Sequence, residues 1–301
     1  MKAVVLTEYG DVDKLELREV PDPKPGRGEV KIKAAASSIN PIDWKLRSGA
    51  AKAMMPLDLP AILGRDTSGT VAEVGPEAGE LKVGDKVFGL IKQGYAEAVV
   101  AKAAELALVP AGLDLRDAAA LPLVLTTGAQ LIEDAVRPQK GWTVLVTGAL
   151  GGVGRTAVFV AKQRGARVIA GVRARQKAEA EALGADQVVA LDDDAEIGKL
   201  PPLDAIADTV GGKVTDKLLP LLKKGGTIGS VVGEPPGAKG RDVTVRAFMA
   251  SPNPKRLAEL AAQVASGALK MPIGKRMPLA EAGAAQKLAE KGGVGKVLLT
   301  I

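Results

Sequence analysis

The hydrophobic pattern of this chain changes once along its length, near Asp114. Before that point, short apolar runs separated by Gly and Pro alternate with polar residues, which is typical of strands joined by turns. After it, continuous apolar runs alternate with segments whose apolar residues recur every three or four positions. The first part predicts a partly closed β-barrel, and the second predicts an α/β fold with a doubly wound parallel sheet.

The individual elements follow from the same pattern. Early strands are predicted at Lys2–Thr7, Leu15–Val20, Glu29–Ala36, Thr70–Val74, Lys86–Leu90 and Ala96–Val100. Later strands are predicted at Thr143–Thr147, Arg167–Gly171, Gln187–Ala190, Leu203–Asp208, Thr227–Val232, Val243–Phe248 and Gly295–Ile301. Helices are predicted at Leu115–Leu121, Thr127–Ala135, Gly152–Arg164, Ala174–Leu183, Val214–Leu222, Pro252–Gly267 and Leu279–Glu290.

The final strand stands apart from the other strands of the helical region, and we expect it to return to the barrel. The predicted domains are therefore 1–113 with 272–301, which form the barrel, and 114–271, which form a Rossmann domain.

One strand–turn–helix segment, Thr143–Gly165, carries a glycine-rich turn. Small residues at the turn let the backbone approach a pyrophosphate, and the free N–H groups at the helix start favour its charge. The context of strand and helix makes this A-x-G-x-x-G pattern a prediction of dinucleotide binding rather than of an ordinary turn. The predicted contacts are Gly148, Ala149, Gly151, Gly152, Val153 and Gly154.

Composition removes several classes of function. The chain has no Cys and no His, so disulfides, thiolate chemistry and a Cys/His zinc site are excluded. The net charge of +6 is spread along a sequence with 2% aromatic residues, which argues against a nucleic-acid partner. We expect no membrane span and a cytoplasmic location, because no long apolar run and no signal peptide are visible.

Motifs over the whole chain resemble the medium-chain dehydrogenase/reductase superfamily, and within it the zinc-independent quinone oxidoreductase branch, the zeta-crystallin-like proteins. They are SSINPIDWKLRSG, LPAILGRDTSGTVAEVG, VGDKVFGL, GYAEAVV, AALPLVLTTGAQ, VLVTGALGGVG, ADTVGG and GKVLLTI, beginning at Ser37, Leu59, Val83, Gly94, Ala119, Val144, Ala207 and Gly295. The resemblance implies a GroES-like barrel beside the Rossmann domain, with the active site in the cleft between them. Zinc-dependent relatives carry a Cys near Asn40 and Gly-His-Glu at Gly64-Arg65-Asp66, so we expect no metal here. Arg65 and Asp66 are interpreted as structural, in an ion pair or a turn cap.

The end of the second Rossmann strand decides the cofactor. NAD-binding proteins place an acidic residue there for the ribose 2′-hydroxyl, whereas this chain has none before Glu179. Arg173 and Arg175 can instead hold a 2′-phosphate, and Lys177 adds a third positive charge. The alternative is that these residues form a solvated first helical turn. The sequence predicts NADPH.

The resemblance also implies roles for other residues. Asn40, in the turn Asn40–Asp43, is given a role with the substrate carbonyl, although Asn40 and Asp43 could simply cap the helical turn that follows. Thr127 aligns with a threonine beside the nicotinamide, but Gly128-Ala129 replaces the usual Ala-Trp. The residues expected to border the ribose and carboxamide are Val210, Gly211, Gly212, Val232 and Gly233. Tyr9 and Tyr95 are interpreted as packing residues.

The predicted function is reduction of a quinone or α,β-unsaturated carbonyl by NADPH through hydride transfer. The substrate would be a small apolar molecule, since the loops expected to line the cleft are small and aliphatic: Ala50–Leu59, Leu90–Gly94 and Gly233–Lys239. A homodimer paired through the Val243–Phe248 strands is a family-level expectation. The alternative is a nucleotide-binding protein of the same fold without turnover, acting as a redox sensor or in a structural role.

Overall fold

The computed structural model describes residues Met1–Ile301 and divides them into two compact units. Unit 1 comprises Met1–Leu123 and Pro252–Ile301, and unit 2 comprises Val124–Ser251. The predicted divisions at 114 and 271 differ from these, since residues 114–123 and 252–271 belong to unit 1.

The N-terminal part of unit 1 is built mostly from strands, as the alternating pattern predicts. The strands are β1 (Lys2–Leu6), β2 (Leu15–Glu19), β3 (Glu29–Ser38), β4 (Ala61–Ile62), β5 (Asp66–Val74), β6 (Lys86–Leu90), β7 (Ala98–Lys102) and β8 (Leu106–Leu108). One helix, α1 (Pro41–Arg47), follows β3 directly. A 3₁₀ turn at Asp117–Ala120 stands where the helix Leu115–Leu121 was predicted, and it packs against β3 and β5.

Strand β3 organises the barrel because it is long enough to pair with more than one neighbour. It pairs antiparallel with β5 over most of its length and with β7 at its beginning. Strands β2, β1 and β4 form a separate small sheet, which a single bridge between Ala3 and Ala96 links to the rest. The buried core beneath includes Leu6, Ile39 and Tyr95.

Unit 2 alternates helices and strands. Its strands are β9 (Thr143–Thr147), β10 (Arg167–Val172), β11 (Gln187–Ala190), β12 (Leu203–Asp208), β13 (Leu222–Ser230) and β14 (Val243–Ala247). The helices are α2 (Pro122–Gln130, which begins in unit 1), α3 (Gly152–Gln163), α4 (Lys177–Ala180), α5 (Asp194–Ile197) and α6 (Gly212–Leu218). A π-helical segment, Leu131–Val136, continues α2.

All neighbours in the sheet of unit 2 are parallel, in the order β11-β10-β9-β12-β13-β14. This is the Rossmann order, in which the fourth strand is added on the other side of the first strand, so that the order of the strands reverses there. The reversal lies between β9 and β12, and ligands of open α/β sheets bind at the carboxyl ends of such strands. The predicted doubly wound sheet is therefore confirmed, with Val243–Ala247 as its sixth strand.

The chain then returns to unit 1 through α7 (Pro254–Ala265), β15 (Ile273–Pro278), α8 (Ala282–Lys291) and β16 (Lys296–Thr300). Strand β16 pairs antiparallel with β3, so the expectation that the last strand joins the barrel is confirmed. Helix α7 packs against β8 through a face that includes Leu257 and Leu260, which explains why residues 252–271 belong to unit 1.

Some predicted elements differ from the structure. The helix Ala174–Leu183 is broken into a 3₁₀ turn at Ala174–Gln176, the single turn α4 and a second 3₁₀ turn at Glu181–Leu183. Strand β15 was not predicted because its sequence, IGKRMP, contains glycine, proline and two charged residues, which are uncommon in buried strands, and it lies at the edge of its sheet. No helix of the chain is both long enough and apolar enough to cross a bilayer.

Candidate functional site

The glycine turn after β9 has the geometry that close approach by a ligand requires. Gly148 has a φ of +61°, and a Cβ on Gly154 would lie 2.2 Å from the Gly148 carbonyl oxygen. A Cβ on Gly152 would lie 2.7 Å from Val124 Cγ1. Because any side chain at Gly154 would collide with backbone, this position fixes how tightly α3 packs against the turn.

The start of α3 also leaves backbone donors free. Gly151 is the N-cap and provides no side-chain acceptor, so the N–H groups of Gly152, Val153 and Gly154 have no partner inside the helix. These N–H groups form the positive end of the helix dipole, which favours binding of an anionic group. The backbone surface at Gly152 and Gly154, where a Cβ would collide with neighbouring atoms, and the unpaired amides of the same turn fit the pyrophosphate of a dinucleotide.

Buried polar groups hold the carboxyl ends of β9 and β12 together. The Thr147 hydroxyl donates to Asp208 Oδ1 at 2.8 Å, and the same oxygen accepts the N–H groups of Val210 and Gly211 at 3.1 and 3.0 Å. Thr209 N–H donates to the Thr147 hydroxyl at 2.8 Å. Asp208 is fully buried and thus fixes the loop in which the sequence predicts ribose contacts.

That loop reaches the one after β13. A Cβ on Gly211, whose φ is +74°, would lie 3.0 Å from Val232 Cγ2. Val210 and Val232 are 48% and 38% exposed, which is unusual for valines in a sheet protein and leaves an apolar surface at the carboxyl ends of the strands. The structure therefore brings together Gly148, Val210, Gly211 and Val232, with Gly233 directly after them at a φ of +101°.

The cations after β10 differ in their partners. Arg173 and Arg175 are exposed, and their guanidinium groups make no hydrogen bond or salt bridge; only the Arg173 backbone N–H donates, to Gln176 Oε1 at 3.2 Å. Lys177 instead pairs with Glu196 at 2.6 Å, and Glu196 also accepts the Ala190 N–H at 2.9 Å. The hydrogen bond from the Ala190 N–H and, after it, the pair with Lys177 hold the pKa of Glu196 below its usual value. Two of the three predicted phosphate ligands are thus free, and the third is committed to a carboxylate.

Thr127 lies in α2, is mostly buried, and makes no hydrogen bond with its hydroxyl. A Cβ on the next residue, Gly128, would lie 2.5 Å from Thr156 Cβ and 2.7 Å from the Val153 carbonyl oxygen. Glycine in place of the usual alanine at position 128 therefore has a physical reason, because α2 and α3 approach too closely there for a side chain. Nothing in the structure explains Ala129 in place of the usual tryptophan.

In unit 1, Asn40 lies within a buried polar network. Its Nδ2 donates to Asp66 Oδ2 at 2.7 Å, and its Oδ1 accepts from Lys296 Nζ at 2.8 Å. The second Nδ2 hydrogen has only long contacts, of 3.4 and 3.5 Å, to Ser38. Asn40 is 1% exposed, so that second hydrogen is the one part of its amide left for another partner.

Asp66 is the anion at the centre of this network. Its Oδ2 accepts from Ser38 Oγ at 2.5 Å as well as from Asn40, and its Oδ1 accepts the Leu123 N–H at 2.7 Å. Lys296 Nζ is 3.8 Å from Asp66 Oδ2 and donates to the Ile39 carbonyl at 3.0 Å. Burial lowers the pKa of Lys296, and the nearby carboxylates oppose that effect. The structural interpretation of Asp66 agrees with these contacts.

Asp43 caps α1 from within the same core. Its Oδ2 accepts the Asn40 N–H at 2.8 Å and the Tyr95 hydroxyl at 2.9 Å, whereas its Oδ1 is buried without a partner. Burial raises the pKa of Asp43 to about 7 and raises the pKa of Tyr95 well above its usual value. The capping interpretation of Asp43 is therefore observed, and direct contact of Asp43 with a substrate stays a prediction.

Sequence reasoning missed three residues of these sites. The sequence analysis includes Lys296 in the motif GKVLLTI, Asp208 in the motif ADTVGG and Arg155 in the predicted helix Gly152–Arg164, but it gives none of them a role of its own. Each had a signal: Lys296 precedes a fully apolar run, Asp208 stands between a buried strand and two glycines, and Arg155 follows Gly154 directly. None of these sequence features identifies the residue with which the side chain forms its hydrogen bond or ion pair.

The chain offers no recognisable metal site. It has no Cys or His, and its structure holds no group of three or more Asp or Glu side chains arranged as ligands. At Asn40 and Asp66, where zinc-dependent relatives have ligands, Lys296 provides the positive charge.

Two family models match parts of this chain. Residues 26–112 match the alcohol dehydrogenase GroES-like domain, and residues 183–299 match a family described as zinc-binding dehydrogenase. A 2-methylene-furan-3-one reductase of Solanum lycopersicum is 34% identical over 297 residues, covering 92% of this chain and 72% of that protein. A chloroplastic NADPH-dependent alkenal/one oxidoreductase of Arabidopsis thaliana is 33% identical over 299 residues, covering 92% and 73%.

Among solved structures, a quinone oxidoreductase from Coxiella burnetii superposes with a TM-score of 0.92 at 32% identity and covers 100% of this chain and 99% of its own. The GroES-like and Rossmann folds implied by the resemblance are confirmed. The chain belongs to the medium-chain dehydrogenase/reductase superfamily, in its quinone oxidoreductase branch, and is an NAD(P)H-dependent oxidoreductase.

Proposed function

We propose that this protein reduces a quinone or an α,β-unsaturated carbonyl compound with NADPH as the preferred cofactor. The observation that carries the cofactor preference is the pair of free guanidinium groups, Arg173 and Arg175, directly after β10. Guanidinium groups form bidentate hydrogen bonds with phosphate, and an acidic residue for the ribose hydroxyl is absent from the same strand end. The names of the matched relatives, an alkenal/one oxidoreductase and a quinone oxidoreductase, support the substrate class.

In this proposal one set of residues binds the cofactor, and Asn40 polarises the substrate carbonyl. NADPH, when bound, supplies the hydride. The amides at the start of α3 hold the pyrophosphate, Arg173 and Arg175 hold the 2′-phosphate, and Val210 and Val232 provide an apolar surface beside the ribose and nicotinamide. The exposed valines and the aliphatic loops suit a small apolar substrate.

Asn40 is proposed to polarise the substrate carbonyl through its second Nδ2 hydrogen, which lacks a short contact inside the protein. Asp43 orients Asn40 by accepting its backbone N–H, which makes Asp43 a positioning residue in this proposal. The proton is proposed to come from water, from the cofactor ribose or from the Thr127 hydroxyl, which has no partner within the protein. Quinone reduction needs little acid catalysis, which suits a site without histidine.

The cofactor assignment is tested by titrating NADPH and NADH into the wild type and the double variant Arg173→Ala/Arg175→Ala. We expect NADPH affinity to fall by at least about tenfold while NADH affinity changes little, because charged hydrogen bonds to the 2′-phosphate are lost. A control is Arg167→Ala, which removes one such positive charge at the opposite end of β10. Equal losses for both cofactors in the double variant would contradict the assignment.

A second candidate is a nucleotide-binding protein without turnover. It is favoured by the burial of Asn40 and Asp43, whose polar atoms are largely used by internal hydrogen bonds. NADPH oxidation measured with a panel of quinones and enones separates the two. Binding of NADPH without oxidation across the panel would leave the second candidate.

We also propose that the protein forms a homodimer and is located in the cytoplasm. Strand β14 lies at the edge of its sheet and is partly exposed, which is compatible with a homodimer that pairs the two copies of β14. The cytoplasm stays the proposed location.

A further inference from the structure

Arg155 is a buried cation beside the predicted cofactor site. It lies in the first turn of α3, directly after Gly154, and is 7% exposed. Its Nε donates to the Leu150 carbonyl at 2.9 Å, and its Nη2 pairs with the Glu179 carboxylate. Arg155 therefore connects the glycine turn with the segment that follows β10.

Glu179 has another candidate partner within its own segment. It follows Arg175 by four residues along two consecutive helical turns, Ala174–Gln176 and Lys177–Ala180. Residues at this spacing face each other on a helix, and an oppositely charged pair there is favourable. Glu179 is 61% exposed at its side chain and could reach such a partner, yet Arg175 is unpaired.

The competition between the two arginines has a physical cause. The Arg155 side chain is already fixed by burial and by its hydrogen bond to the Leu150 carbonyl, so pairing with Glu179 orders little additional chain. Arg175 is exposed and would lose rotamer freedom on forming the same pair. The carboxylate therefore belongs to Arg155.

We propose that Arg155 is a specificity-determining residue for the 2′-phosphate, because its capture of Glu179 keeps Arg175 free and neutralises the nearest acidic side chain of that segment. The inference rests on the proposed preference for NADPH. Arg155 acts through Glu179 and Arg175 and is thus a positioning residue that need not touch the cofactor.

The test compares two nucleotides that differ by the 2′-phosphate alone, adenosine 2′,5′-bisphosphate and adenosine 5′-monophosphate. Their binding to the full chain is measured by titration calorimetry, and the ratio of the two affinities reports the contribution of the 2′-phosphate. The variants are Arg155→Met, Glu179→Gln and the double variant Arg155→Met/Glu179→Gln. Methionine retains most of the volume of the arginine stem and removes the charge.

In Arg155→Met we expect the ratio to fall about three- to fivefold, the range of a partly exposed ion pair that now engages Arg175. In the double variant we expect the ratio to return to the wild-type value, because the carboxylate that captures Arg175 is gone. The contact with the Leu150 carbonyl is lost in both variants, so the return isolates the charge effect from any distortion of the turn.

Two other results have distinct meanings. If Arg155→Met weakens both nucleotides equally, or if the double variant stays as low as the single, Arg155 supports the turn alone and the inference is overturned. If the wild type itself does not favour the bisphosphate, the proposed NADPH preference fails before the variants are considered.

Discussion

The Lys296 ammonium donates to Asn40 Oδ1 at 2.8 Å, while Asn40 Nδ2 donates to Asp66 at 2.7 Å. A cation at the oxygen and an anion at the nitrogen fix which way the amide points, because the reversed amide would meet like charges at both ends. The link spans almost the whole chain, from the turn after β3 to the first residue of β16. The closing strand thus supplies a charge to the candidate catalytic residue as well as a strand to the barrel, between β15 and β3.

Replacing Lys296 by Met should destabilise unit 1 by about 3–5 kcal/mol, since it leaves the buried Asp66 carboxylate without its cation. Chemical unfolding followed by circular dichroism measures the change. Lys275→Met, on the neighbouring strand β15 and exposed, is the control and should leave the unfolding midpoint nearly unchanged. A midpoint for Lys296→Met equal to that of the control would show that the buried pair contributes nothing.

Because of Asp43, the free energy of unfolding should fall as the pH rises from about 4 to about 7. Its pKa is about 7 in the folded chain and 3.8 in an ordinary environment, so the folded state retains a proton that the unfolded state releases. The resulting stabilisation, at most about 4 kcal/mol, is fully present below about pH 4 and is lost as the pH rises through about 7. Unfolding free energies measured from pH 4 to pH 8 report this slope.

The Asp43→Asn variant isolates that contribution because it cannot titrate. Its unfolding free energy should fall less steeply with rising pH than that of the wild type. Asp58→Asn, an exposed aspartate of the same unit, should follow the wild-type slope. Parallel curves for the wild type and Asp43→Asn would mean that Asp43 does not titrate in this range.

The parts of the fold that sequence reasoning predicted are those in which local pattern and tertiary environment agree. Thr143–Thr147 and Leu203–Asp208 have the predicted bounds because buried parallel strands are apolar throughout and end at glycine or polar residues. The predicted helix Ala174–Leu183 is helical throughout but only partly α-helical, because contacts with neighbouring segments, which the local periodicity does not report, tighten its first and last turns to 3₁₀. The Ala174 N–H donates to Asp192, which follows another strand.

The candidate site also has a part that the sequence predicts and a part that it does not. The glycine turn was predictable because the turn needs residues without side chains at fixed positions, and one short motif shows them. The partners of Asn40, Lys177 and Arg155 were not, because each lies far along the sequence or on another element: Lys296, Glu196 and Glu179. Sequence pattern identifies charged residues, and the topology decides which of them meet.

Gly154→Ala should weaken binding of NADPH and destabilise unit 2 by about 1–3 kcal/mol, because the added methyl group collides with the Gly148 carbonyl. Nucleotide binding measured by fluorescence titration and thermal unfolding report the two effects. Gly198→Ala is a matched control, since its Cβ would have 3.4 Å of space at a φ of −65°. Unchanged binding in Gly154→Ala would exclude this turn as the pyrophosphate site.

The proposed dimer makes a prediction about the edge strand β14. In a two-fold pair each residue near the axis meets its own copy, so Thr244→Lys, at an exposed position, would place two positive charges opposite each other. We expect light scattering to give the mass of two chains for the wild type and a shift toward one chain for the variant, larger at low salt. Gln139→Lys adds the same charge in an exposed loop outside that strand and should remain dimeric. A wild type with the mass of one chain would reject the dimer, and a Thr244→Lys variant that stays dimeric would move the interface away from β14.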